Sequence, residues 1–408
     1  MKRTIKLAVV AALALGATSA FATNGSAMIG MGAKTRGMGG AGIGVGHGAE
    51  SALSNPALIT TIKSDHEISF GGTLFMPNVE TTNGMNMGPG GDFSTSMESD
   101  ADFFVIPSVS VANKVSDNFY WGVGMWGTGG LGVDYRDDSV GGMMGMVTSL
   151  QNMQFGIPLV YTANKFSVGI TPIVQYTALD INYKNPMDSF NNVGAGVADD
   201  VSVGYNLGLA YETQGITLGA VYKSEVESNI KDVLSNAINP MIGGSGYDNN
   251  KISTPAEMGV GISYKMKEHT IALDYKMILW EDAETYKDFG WEDQNVIAVG
   301  YEYATDKWAV RAGYQYAKSA VQDNTGKNLA LDAILPNLTN TFNMLGFPGT
   351  QESHITLGGT YVFNETLSLD LAAVFGLENK ETMTNFLSQN IETKHSEQSY
   401  SVQLNYAF

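Results

Sequence analysis

The chain is 408 residues long, 44% hydrophobic and only 16% charged, with 48 Gly, no Cys and a net charge of -18. Without cysteine there is neither a disulfide scaffold nor a Cys-ligated metal, and so acidic a balance argues against nucleic acid as a partner. The 10% aromatic content, with so few charges, excludes wholesale disorder.

Lys2, Arg3 and Lys6 precede an apolar run from Leu7 to Leu15, and Ala20-Phe21-Ala22 then offers a small-residue cleavage site. This is the layout of a secretory signal peptide over residues 1–22. Its apolar core is too short to span a membrane, and no later stretch supplies the ~18 apolar residues of a transmembrane helix.

Residues 23–64 carry an unusual glycine load, including Gly37, Gly39, Gly40, Gly42 and Gly44, which permits tight turns and close backbone approach. A phosphate-cradling loop is the wrong reading, because Ala33 stands where Gly must precede Lys34-Thr35. Ser54-Asn55-Pro56-Ala57 reads instead as a turn leading into an anchored segment. Placed before the first strand, the region is expected to fold back as a hatch.

From residue 65 to 408 the dominant pattern is alternation. Met258, Val260, Ile262, Tyr264 and Met266 share one face against Gly259, Gly261, Ser263 and Lys265, and Tyr400, Val402, Leu404, Tyr406 and Phe408 repeat it. The small polar face suits a lumen, and Tyr and Trp gather near run ends as interfacial girdles do. Fourteen strands are expected, at 66–76, 102–113, 119–128, 152–163, 166–183, 199–213, 215–226, 255–265, 268–281, 294–304, 307–318, 352–363, 366–377 and 396–408. Short links alternate with long ones, the longest at 77–101, 129–151, 227–254 and 319–351. These features predict an all-β transmembrane barrel of about fourteen antiparallel strands, since a soluble sandwich has shorter strands and no reason to sort its loops. The aromatic Phe408 at the C-terminus suits recognition by the barrel-assembly machinery.

The hatch-like start with Asn55-Pro56-Ala57, together with Thr254-Pro255-Ala256-Glu257, Lys307-Trp308-Ala309-Val310-Arg311 and His354-Ile355-Thr356-Leu357-Gly358-Gly359, resembles the FadL-type family of outer-membrane transporters. The resemblance covers the mature chain and implies passive uptake of long-chain fatty acids, or of aromatic or alkane hydrocarbons. It also implies an apolar groove outside, a hatch within and an exit through a kinked third strand. Gly122, Gly124 and Gly127 are the candidates for that strand-3 opening, because Gly in a strand often marks a bend. Ile230, Val233, Leu234, Ile238 and Met241, with Leu335, Leu338 and Phe342 in a later loop, are the candidate groove.

Asp274, Lys276, Glu302, Arg311 and Asp370 are expected to face inward. Arg311 is read as tying the hatch to the wall with Glu302 or Glu50, and Lys276 or Lys223 as the contact for a fatty carboxylate. No catalytic constellation, metal-ligand spacing or cofactor motif emerges, so an enzyme is not expected. Expected partners are hydrophobic small molecules, outer-membrane lipid and lipopolysaccharide. A general porin or an adhesin is the competing assignment.

Overall fold

The computed structural model describes residues 24–86, 92–244 and 246–408. The signal peptide read at 1–22 lies outside the described residues.

Fourteen antiparallel staves close into a barrel. They are β1 (His66–Asn86), β2 (Asp92–Glu98 continued by Phe104–Lys114), β3 (Phe119–Asp134), β4 (Val147–Gly156 continued by Leu159–Ala163) and β5 (Phe166–Asn185). Then come β6 (Asn191–Gly194 continued by Ala198–Thr213), β7 (Ile216–Lys223), β8 (Glu257–Met266), β9 (His269–Ile278) and β10 (Gln294–Ala304). The last four are β11 (Trp308–Ala317), β12 (Ser353–Val362), β13 (Leu367–Thr384) and β14 (Asn390–Ala407). Each pairs with the next, and β14 returns to β1 from Glu67↔Ala407 to Asn83↔Ile391, so the sheet closes. Closure removes the unpaired edge that lipid could not tolerate.

The faces are inverted relative to a soluble protein. Val260, Ile262, Leu357, Val402 and Leu404 are 44–57% exposed on the outside. Behind them Ser401, Gln403 and Asn405 are buried in the bore. Such an apolar outer band with a polar interior is what a bilayer selects. Among the described residues no helix is long and apolar enough to cross a membrane.

Several staves run farther than the alternation indicated. β1 continues to Asn86, β3 to Asp134 and β13 to Thr384, while β4 begins at Val147 and β14 at Asn390. In the β1, β13 and β14 extensions the outward face turns polar while Val79, Met85, Met383 and Ile391 stay buried inward, so the lipid-facing alternation vanishes although the ladder persists. Outward ion pairs Lys394–Glu80 (2.9 Å) and Lys380–Glu392 (2.8 Å) lace them together.

Residues 24–62 lie inside the ring. They form α1 (Ala33–Gly37), α2 (Ser51–Ser54) and two 3-10 turns, Gly48–Glu50 and Pro56–Thr61. Over the long-loop end sit α3 (Val233–Ile238) and α4 (Leu338–Gly346).

Candidate functional site

Asn55 is extended, as a residue before Pro must be, and its side chain caps the turn by accepting from the Ala57 amide at 3.1 Å. Its Nδ2 donates to the carbonyls of Ile43 (2.9 Å) and Leu209 of β6 (3.0 Å), stitching the N-terminal segment to the wall. The wall is shaped for this approach. A Cβ on Gly219 of β7 would stand 1.7 Å from the Ile43 carbonyl oxygen, and one on Gly313 of β11 would stand 2.2 Å from the Gly39 amide. Glycine is therefore required where backbone meets backbone.

Carboxylates complete the attachment. Asp274 of β9 accepts from three consecutive amides, Gly42 (2.7 Å), Ile43 (2.6 Å) and Gly44 (3.1 Å). Glu50 accepts from the Thr35 amide and hydroxyl, both at 2.6 Å, and from Gln403 of β14 at 2.9 Å. Glu50 therefore lies apart from Arg311, contrary to one of the pairings expected. Arg311 Nε donates to Glu302 at 2.7 Å and Nη1 to Thr360 at 2.8 Å. Its link to the N-terminal segment runs through Asp370, which lies 3.8 Å from Arg311 and 3.6 Å from Lys34.

On the other side of the lumen Lys223 of β7 lies 3.0 Å from Glu257 and Lys276 of β9 lies 3.7 Å from the same carboxylate. Both lysines line one small cavity with Met28, Met31 and Ile43 of the N-terminal segment.

The side wall is interrupted between β2 and β3. The two pair only from Ser108↔Trp126 down to Lys114↔Tyr120, whereas Phe104–Pro107 pairs with β1 alone. Beyond Trp126, β3 turns inward, shifts register on β4 between Gly127 and Gly129, and is buried on both faces up to Val133. Its freed edge meets the N-terminal segment instead, with Met28 N donating to Thr128 O (3.2 Å) and Gly130 N to Ser26 O (3.0 Å). A cavity of about 370 Å³ occupies the interruption, lined by Ile106, Pro107, Gly127, Asn152, Met153 and Tyr176 among others. From inside, Met28, Phe75, Phe104 and Ile106 pack together behind it.

Of the three glycines expected at this opening only Gly127 borders it. Gly122 and Gly124 lie in the regular ladder opposite Ala112 and Ser110. Gly129, not singled out from the sequence, sits in the bend, where a Cβ would stand 2.4 Å from Ser26 O.

The loop residues do not form an open groove. Ile230, Val233, Leu234, Ile238, Met241, Leu338 and Phe342 are at most 2% exposed and belong to one closed core with Met143, Met144 and Met146, while Leu335 lies half-buried at its margin. Helical spacing over Ile230–Met241 identified the apolar face of α3, and the α4 residues were expected only as an apolar cluster, but both are satisfied by each other and by the staves. Tyr183 of β5 stands edge-on to Phe342 at 6.0 Å and donates to the Ala237 carbonyl at 2.6 Å. A triad of Trp280, Tyr286 and Trp291, with ring centroids 4.6–5.0 Å apart, extends this core down to Gly25. Nothing in local spacing marks that triad, because its partner is some 260 residues away. Among the described residues no group of three His, Asp or Glu side chains is arranged to hold a metal ion.

A family model for outer membrane protein transport proteins (OMPP1/FadL/TodX) matches residues 7–408. A 47 kDa outer membrane protein of Pasteurella multocida is 24% identical over 90% of this chain and 92% of its own length. A long-chain fatty acid transport protein of Escherichia coli is 23% identical, again over 90% and 92%. Among solved structures, a Pseudomonas aeruginosa FadL homologue superimposes with a TM-score of 0.68 at 15% identity, covering 94% of this chain and all of that one. The Pseudomonas putida toluene transporter TodX gives 0.66 at 18% identity, covering 93% and 99%. With the family model matching nearly the whole sequence, the chain belongs to the OMPP1/FadL/TodX family of outer-membrane transport proteins.

Proposed function

We propose that this protein is a passive carrier of hydrophobic molecules, long-chain fatty acids first, across the outer membrane of a Gram-negative cell. The long loops face outward, residues 24–62 act as the hatch, and cargo leaves sideways between β2 and β3 rather than through the bore. The reading rests on one observation, the unpaired stretch of wall where β3 turns inward beside a 370 Å³ cavity. The short-turn end offers apolar cargo no comparable way out. Its 860 Å³ vestibule is lined by Lys63, Glu67, Glu212, Lys265, Glu268 and Asp306, among others, and roofed by the hatch. An acyl chain gains ~0.8 kcal/mol per buried methylene, so each apolar station lowers the barrier without an energy source. Lys223 and Lys276 supply positive charge for the acid head, and a hydrocarbon such as toluene remains the alternative cargo. Because the loop core is closed, the outer apolar site opens only when cargo displaces part of it, a task suited to pliable methionines. Lipopolysaccharide surrounds the outer rim, and Phe408 presents the terminal aromatic to the assembly machinery.

The test is a cross-link. A Cβ on Gly127 lies 3.9 Å from the Ile106 Cβ, within disulfide range, and the chain has no other cysteine. In Ile106→Cys/Gly127→Cys, oxidation should abolish oleate uptake into proteoliposomes and reduction should restore it. Undiminished uptake by the oxidised protein would refute a side exit at this place.

A further inference from the structure

Three titratable groups of the wall meet one cation of the N-terminal segment. His395 and Glu397 point inward from β14, His354 faces them from β12, and Arg36 of α1 approaches from the bore; all four are at most 3% exposed. The outward neighbours on β14, Lys394, Ser396 and Gln398, are polar, so this end of the stave lies above the acyl region. His354 Nε2 stands 3.0 Å from Glu397 Oε1, the geometry of an imidazole N–H donating to a carboxylate, and His395 Nε2 stands 3.9 Å from the other oxygen. Arg36 directs its Nη atoms to neutral acceptors, the Gly30 carbonyl at 3.2 Å and the Ser399 hydroxyl. Glu397 is therefore the one carboxylate that both imidazoles and the guanidinium share.

The surrounding elements bring little to offset a further positive charge. β1 sets Val79 opposite His395 and Pro77 opposite Glu397, and the loop before β12 presents the Pro348 carbonyl and Gln351. On β13 Asn379 lies opposite His395 and donates to the Thr350 carbonyl (2.7 Å) and to Glu381 (3.3 Å), the next carboxylate along. Five side-chain atoms of the cluster are buried without a partner: Arg36 Nε, Gln351 Oε1, His354 Nδ1, His395 Nε2 and Glu397 Oε2. Polar atoms left so are costly, and a native fold that gathers them in one place calls for an explanation. The packing is tight on the β13 side, where a Cβ on Gly376 would stand 2.3 Å from Glu397 Cγ and 3.0 Å from Gln351 Nε2. A proton is a guest that needs no room.

We propose that Arg36, His354, His395 and Glu397 form an acid-sensitive latch, in which a proton taken up by either imidazole repels Arg36 and frees the hatch from β12 and β14. The proposal rests on the reading of residues 24–62 as a hatch and adds a control to it. With both imidazoles neutral, Arg36 and Glu397 balance. One more proton sets two cations against one carboxylate where water does not reach, an arrangement that burial penalises. Arg36 is the cation able to leave, because it is carried by the hatch, and its departure admits water to the imidazoles. Histidine in water titrates near ~6.5, so an imidazole protonated only in the released state favours release by up to about thirtyfold at pH 5. The seated state is thus fully favoured above pH ~6.5 and weakens as the solution is acidified.

Two readouts on the purified full chain test this at pH 7.5 and pH 5: baseline conductance in planar bilayers, and amide hydrogen exchange of residues 28–40 corrected for the intrinsic effect of pH. In the wild type acid should raise the conductance and speed the exchange at least about tenfold. His354→Gln/His395→Gln keeps polar side chains that do not titrate, so it should stay closed at pH 7.5 and lose the acid response. Each single substitution should remove part of that response, which decides the matter if the double variant assembles poorly. A wild type equally closed and equally protected at both pH values, or a double variant with the wild-type profile, would overturn the latch. Exchange that quickens in acid while conductance stays flat would overturn the hatch reading and leave the acid-sensitive contact standing.

Discussion

Adding one methyl group at Gly219 should unseat the hatch. The new Cβ would stand 1.7 Å from the Ile43 carbonyl oxygen and 3.0 Å from Asn55 Nδ2. Carbon and oxygen settle no closer than ~3.3 Å, so wall and hatch must separate locally by about 1.6 Å. A shift of that size carries the Asn55 Nδ2→Leu209 O bond (3.0 Å) and the Ile43 N→Asp274 bond (2.6 Å) out of range. One neutral and one charge-assisted hydrogen bond are together worth roughly 2–4 kcal/mol. In Gly219→Ala, trypsin should cut at Lys34 or Arg36 under conditions that spare the wild type, and planar bilayers should show a raised baseline conductance. Gly359→Ala is the control, since a Cβ there meets only the Ala309 carbonyl at 3.5 Å. Identical digestion and conductance for Gly219→Ala and wild type would refute the idea that bare backbone contact seats the hatch.

Arg311→Ala leaves Glu302 without its 2.7 Å partner and removes one of the two cations beside Asp370, which keeps Lys34 and its bonds from Thr360 and Asn405. The variant should lose a few kcal/mol of stability and sensitise cells to large antibiotics; wild-type sensitivity would count against the linkage. Phe342→Ala removes a 2%-exposed ring from the loop core and should cost ~3–5 kcal/mol there. Surface proteolysis of whole cells reads this directly, and intact loops would show that the core tolerates the void. Acid should loosen the loop at 279–293. Partial burial opposes ionisation of Glu284, but Lys287 and Asn249 outweigh it and hold the carboxyl below its usual range. That stabilisation is complete above about pH 4.3, the unfolded value, and disappears as pH falls through the lower folded value. Loop protection should fall with acid in the wild type and less so in Glu284→Gln; superimposable profiles would exclude the contribution.

Strand number and barrel class were legible because each membrane-level stave must be greasy outside and small or polar inside, which prints a period of two on the sequence. The signal fades where lipid ends. Glu80 and Thr82 face out from β1 while Thr81 and Asn83 face in, and no local rule then separates strand from loop. Charges within the bore were placed inward by the same alternation, Asp274 and Asp370 among them. Their partners were not, because Glu50 meets Gln403 across 353 residues of sequence and only closure of the ring brings them together. Of the loop helices α3 was legible as an amphipathic face and α4 only as an apolar cluster, yet spacing cannot tell a face that waits for a ligand from one that packs on its own neighbours.

The unequal heights of the staves carry one last consequence. β1, β13 and β14 are 21, 18 and 18 residues long, whereas a tilted strand needs only ~9–11 to cross a bilayer. At ~3.3 Å per residue, the surplus forms a parapet with a polar outer face, braced by its charge pairs, standing well above the acyl region. On the proposed transport reading, a greasy molecule taken up at the top of this chimney would be set down below the sugars without ever having to dissolve in the carbohydrate itself.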